Sequence, residues 1–118
     1  MFKHVHVFRV KPGRELLGDI ENYCIEHGIS SGVVIGIIGS LKSARLNFLM
    51  ELPGKYVSVE YSGPLEIVCA QGSVASASEN KLIVHIHVQI SEQDGCKGGH
   101  LAEATVFSTA EVIIGELD

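Results

Sequence analysis

The sequence predicts an α/β fold, more narrowly α+β: a mostly antiparallel sheet of about seven strands with one main helix packed on it. Three observations carry that prediction. A helical repeat occurs only once, over about residues 14–27. β-Branched, alternating segments recur through the remainder. No second helical stretch separates the later strands, so they must join as hairpins rather than by crossovers.

Phe2 to Val10 alternates Val5, Val7 and Arg9 with His4, His6 and Phe8, the pattern of a half-buried strand. Lys11-Pro12-Gly13 ends it with turn chemistry. Leu16, Leu17, Ile20, Tyr23, Cys24 and His27 then fall at helical spacing, opposite Glu15, Asp19, Glu21 and Glu26. Gly28 suits a left-handed stop. Ser31 to Ser40 reads as a buried strand that bends at its glycines, among them Gly36 and Gly39. Strands are expected at Ala44–Leu52 and Val57–Tyr61, joined at Pro53-Gly54, and another after Gly63-Pro64 from Leu65 to Val74. Leu82–Ile90 is a strong strand, Ser91–Gly98 a polar loop, and Leu101–Ile114 the last stretch of the sheet.

With 118 residues, the chain is expected to form a single domain over residues 1–118. A hydrophobic fraction of 46% and a charged fraction of 19% exclude a disordered tail. The net charge of -5 argues against a free-standing nucleic-acid binder, which needs clustered Lys and Arg. Cys24, Cys69 and Cys96 make no CxxC pair, which fits a reducing cytoplasm better than a disulfide scaffold. The longest apolar stretch, Gly32 to Gly39, is far too short to span a bilayer, so no membrane partner is expected.

Histidines supply the clearest chemistry. His85 and His87 lie two residues apart on the polar face of the Leu82–Ile90 strand, while Leu82, Val84, Ile86, Val88 and Ile90 take the core face. Their Cβ atoms are ~7 Å apart by strand geometry, close enough to converge on one ion. His100 follows Gly98-Gly99, whose bare backbone permits close approach, and would complete a facial three-histidine set. Zn²⁺ is the default ion for imidazole, with Ni²⁺, Fe²⁺ and Co²⁺ as alternatives; packing histidines satisfied by hydrogen bonds are the competing reading. His4-Val5-His6 has no evident third partner and reads as structural, and Cys96 as a loop thiol. Gly32-x₃-Gly36-x₂-Gly39 does not match dinucleotide-binding spacing, so no nucleotide cofactor is expected. Glu66, Glu103 and Glu111 interrupt apolar strands and read first as solvent-facing carboxylates. No catalytic residue is identified, and an enzyme is the minority reading.

The chain resembles the plant and prokaryote conserved (PPC) domain family almost from end to end. The resemblance rests on Ile35-Gly36-Ile37-Ile38-Gly39-Ser40-Leu41, Gly63-Pro64-Leu65-Glu66-Ile67-Val68, His85-Ile86-His87-Val88 and Gly98-Gly99-His100-Leu101, in that order. It implies a homotrimer and, in the plant relatives, a nuclear DNA-binding regulator whose AT-hook carries Arg-Gly-Arg-Pro. That peptide is absent from this sequence, which makes the chain similar to the stand-alone prokaryotic form. The resemblance further implies that Gly63, Pro64, Leu65, Glu66, Ile67 and Val68 form a partner surface. The expectation is therefore a homotrimeric binding or regulatory module with a DNA-binding role and a histidine metal site. The alternative is a zinc-dependent enzyme or small-molecule-binding protein using His85, His87 and His100.

Overall fold

The structure is a computed structural model describing residues 1–118. Its elements are β1 (His4–Val10), α1 (Leu16–Glu26), β2 (Ser31–Glu51), β3 (Lys55–Ser78), β4 (Lys81–Glu92) and β5 (Gly95–Glu116). The strands lie in the order β1-β5-β2-β3-β4, every pairing antiparallel. An additional β4–β5 pairing joins β2, β3, β4 and β5 into a closed ring, with β1 extending β5. The β4–β5 pairing covers the His87–Glu92 part of an edge that would otherwise offer unpaired backbone groups.

The sheet thus has five strands, not the expected seven. The difference arises where bends replace turns. Ser31–Ser40 and Ala44–Leu52 are one strand, because the chain passes Lys42 by a register shift between Leu41 and Ser43 and keeps pairing. Val57–Tyr61 and Leu65–Val74 merge likewise: Gly63-Pro64 lies inside β3. Gly63 is required there, since a Cβ would collide with the Leu41 carbonyl oxygen. The expected loop Ser91–Gly98 shrinks to a turn at Gln93-Asp94, and Cys96 to Gly99 pair with β4. Pro53-Gly54 does form the β2–β3 turn.

The helix occupies Leu16–Glu26 within the expected range. Glu15 caps its start, accepting from the Gly18 amide at 2.7 Å and the Leu17 amide at 3.2 Å. The same carboxylate accepts from the Ala104 amide of β5 at 3.0 Å, tying the helix to the sheet. At the other end Gly28 has φ +68°, and the Ile29 amide bonds the Cys24 carbonyl at 2.8 Å, a Schellman closure. Leu16, Ile20 and Cys24 face inward and join Ile86, Leu101 and Val112 in one cluster of buried apolar residues. Burial pushes the Cys24 thiol up to about 11, so it remains a protonated core group. No helix is long and apolar enough to cross a membrane.

Candidate metal centre

Alternation along β4 separates two chemistries. Ile86, Val88 and Ile90 are at most 4% exposed, so the intervening His85, His87 and Gln89 must point outward. On β5, Leu101 is buried and its neighbour His100 lies on the outer face, half-buried. The register pairs His87 with His100 across β4–β5, and His100 with Asn47 across β5–β2. His85 lies two residues along β4 from His87, on the same face.

The three rings meet. Their centroids are 5.1 Å apart for His85–His87, 5.0 Å for His85–His100 and 5.5 Å for His87–His100. One ring nitrogen from each lies within 4.8 Å of the others. Three nitrogens about 2 Å from a common ion span about 3–3.5 Å, so small rotations of the side chains suffice to close on a divalent cation. Burial, and then the nearby His85 and His87, lower the pKa of His100 below the ordinary histidine value. The neutral imidazole, which is the ligating form, is favoured there. This donor set suits zinc or a similar divalent ion.

Behind the histidines, a Cβ on Gly99 would sit 3.0 Å from the Phe48 ring, so the missing side chain makes room for that aromatic. Gly98 lies in β5 opposite Gln89. Gly39 has φ +155°, and a Cβ there would collide with the Thr109 carbonyl oxygen; Gly36 stands at a register shift with open space around it. In the Gly63–Val68 segment Leu65 and Ile67 are buried, while Glu66 and Val68 are exposed. Glu66 and Glu111 are exposed, and Glu103 stands 3.7 Å from Arg45.

The sequence gives no hint of what else surrounds the histidines. Asn47, Leu49 and Tyr56, from the β2–β3 hairpin, complete a depression of about 300 Å³ with His85, His87 and His100. Their part depends on the Asn47–His100 pairing, which joins segments more than fifty positions apart. His6 has partners that the sequence does not reveal either. Its ring contacts the Tyr23 hydroxyl at 3.2 Å and the Glu116 carboxylate at 2.9 Å. Tyr23 is itself stacked between Phe8 and His27, with centroids 3.8 and 3.9 Å away. That cluster fastens β1, α1 and the end of β5.

A five-stranded, nearly closed antiparallel sheet with one helix defines a small α+β protein that gathers three imidazole donors on one outer face. The chain belongs to the Plants and Prokaryotes Conserved (PCC) domain family, whose model matches residues 2–118. It is similar to a plant- and prokaryote-conserved protein from Pyrococcus horikoshii, at 33% identity and a TM-score of 0.90, covering 100% of this chain and 81% of that one. A metal-containing protein from Archaeoglobus fulgidus is similar at 29% identity and a TM-score of 0.86, covering 98% and 81%. A Bacteroides thetaiotaomicron protein described as a candidate DNA-binding protein shares the fold, at 20% identity and a TM-score of 0.89, covering 100% and 82%. Among curated proteins, the bifunctional protein GlmU of a Synechococcus strain is 28% identical over 114 residues, 95% of this chain. The chain spans only 17% of that relative's length.

Proposed function

We propose that this chain is a metal-binding PCC-domain module, one domain over residues 1–118, in which His85, His87 and His100 hold a divalent ion, zinc first. The observation that carries the reading is the convergence of three imidazole nitrogens within 4.8 Å on an exposed face. The metal-containing Archaeoglobus relative supports it. Three ligands leave a coordination position open, as in sites that bind or exchange a ligand. No Asp or Glu lines the depression to serve as a general base, which favours binding over hydrolytic chemistry.

The module works as a homotrimer in this reading. Val7, Ile38, Val68 and Phe107 are each more than half exposed on the sheet's outer side, apolar surface of the kind that subunits cover. A cytoplasmic setting suits its three free cysteines. A DNA-binding role is the second reading, supported by the description of the Bacteroides neighbour. The charge of -5 weighs against it.

Elemental analysis of untagged protein tests the first reading. About one ion per chain is expected, lost in His87→Ala while the far-UV circular dichroism is retained. Protein that neither carries nor takes up Zn²⁺, or a triple alanine variant that keeps its metal, overturns it. In that event a salt-sensitive shift of A·T-rich duplex would favour the second reading.

A further inference from the structure

The chemistry beside the histidines goes beyond a cation site. Three neutral imidazoles leave the full charge of a divalent ion uncompensated, and no carboxylate lines the depression to offset it. What does line it is selective. The Ser58 hydroxyl donates to Asn47 Oδ1 at 2.5 Å, which occupies the acceptor end of that amide. The Nδ2 end is left as the donor. Leu49 and Tyr56, paired across the β2–β3 hairpin, add an apolar wall and a phenol. They are 51% and 57% exposed, open to contact from solution.

We infer that the histidine face binds a small carboxylic acid: its carboxylate directed to the open side of the His85–His87–His100 set and the Asn47 amide, its short apolar tail against Leu49 and Tyr56. Charge selects the anion, and the amide donor reinforces that choice. The hairpin wall distinguishes an organic acid from inorganic phosphate, which shares the anionic oxygens and has no tail. The inference rests on the metal-binding reading.

Cobalt(II)-loaded protein provides the test, because visible absorption reports ligation at the ion independently of any activity. Acetate, butyrate, inorganic phosphate and butylamine are titrated in turn. Butyrate should perturb the spectrum and bind about fourfold more tightly than acetate, the effect of half-burying two methylenes. Butylamine should bind far more weakly than butyrate. Leu49→Ala should reduce the butyrate-over-acetate preference, and Asn47→Leu should weaken both acids, each compared at equal cobalt content. Failure to take up cobalt overturns the metal reading and this inference together. Uptake with no response to carboxylates overturns this inference alone. So does phosphate binding more tightly than butyrate, or butylamine matching it.

Discussion

Gly72 lies in β3 opposite Ile86, between the two β4 histidines, and links the fold to the site. A Cβ built on it would overlap the His85 carbonyl oxygen and stand 2.9 Å from both the His85 carbonyl carbon and Ile86 Cα. Real Cβ contacts essentially never fall below 3.0 Å, and all three neighbours are backbone that cannot rotate aside. In Gly72→Ala the strands must therefore part by about 1 Å, which stretches a hydrogen bond of about 2.9 Å beyond useful range. Two weakened ladder bonds at about 1 kcal/mol each, added to an overpacking cost of about 1 kcal/mol, the low end of the usual range and fitting for a single added methyl, give a destabilisation of about 3 kcal/mol. In urea, followed by circular dichroism at fixed protein concentration, the midpoint should fall by about 1–2 M. The displaced His85 should also weaken Zn²⁺ binding. Gly36→Ala is the matched control, since a Cβ there meets nothing within 4 Å; it should be neutral or stabilise by up to about 1 kcal/mol. A Gly72→Ala protein within about 0.5 kcal/mol of the parent, with unchanged zinc affinity, would refute the close-approach argument.

Two further outcomes follow from the polar ties between elements. Glu15→Ala removes a helix cap and strands the amide of Ala104, a residue 1% exposed; a loss of about 2–3 kcal/mol in chemical unfolding is expected, and a change below about 0.5 kcal/mol would show that the tie contributes nothing. The hydrogen bond from His6, with Lys3 and His4 nearby, holds the Glu116 carboxyl below its ordinary value near 4.5, against the opposing effect of burial. The contribution of Glu116 is thus complete above the unfolded value and disappears as pH falls through the folded one. Glu116→Gln should lower stability near pH 7 and flatten the decline below about pH 4.5; an unaltered acid profile would show that this carboxylate is not coupled to folding.

The helix was legible because its signals are local: apolar spacing from Leu16 to Cys24 and a glycine stop at 28. The inward and outward faces of β4 were legible for the same reason, an unbroken alternation from Leu82 to Ile90. Strand number was not. Gly63-Pro64 carries turn chemistry, yet the long-range pairing of β3 with β2 and β4 holds it in an extended path. The sequence placed His85 and His87 on one face, but whether His100 joined them depended on the β4–β5 register, which a one-residue slip would have reversed. Asn47, Tyr56 and the Glu116 partner of His6 carry no motif. Their roles exist only after strands distant in sequence have paired.

The location of the cluster follows from how the ring closes. His100 is where β5 ends its pairing with β4 and begins its pairing with β2: it faces His87 on one edge and Asn47 on the other. Residues before it pair with β4, and those from Val106 to Ala110 lie beyond that strand's reach, beside β2 and then β1. Three strands, β2, β4 and β5, therefore meet at one position on the outer face. Beneath it Leu46, Ile86 and Leu101 are at most 1% exposed, so the backbone carrying the side chains above is set by close packing below. A metal or ligand arriving at such a point has little ordering to impose on the backbone, only rotations of imidazole and amide groups already facing one another. By this argument, cavity-forming substitutions beneath the site should weaken ion binding before they unfold the chain, whereas substitutions at the opposite end of β5 should alter stability alone.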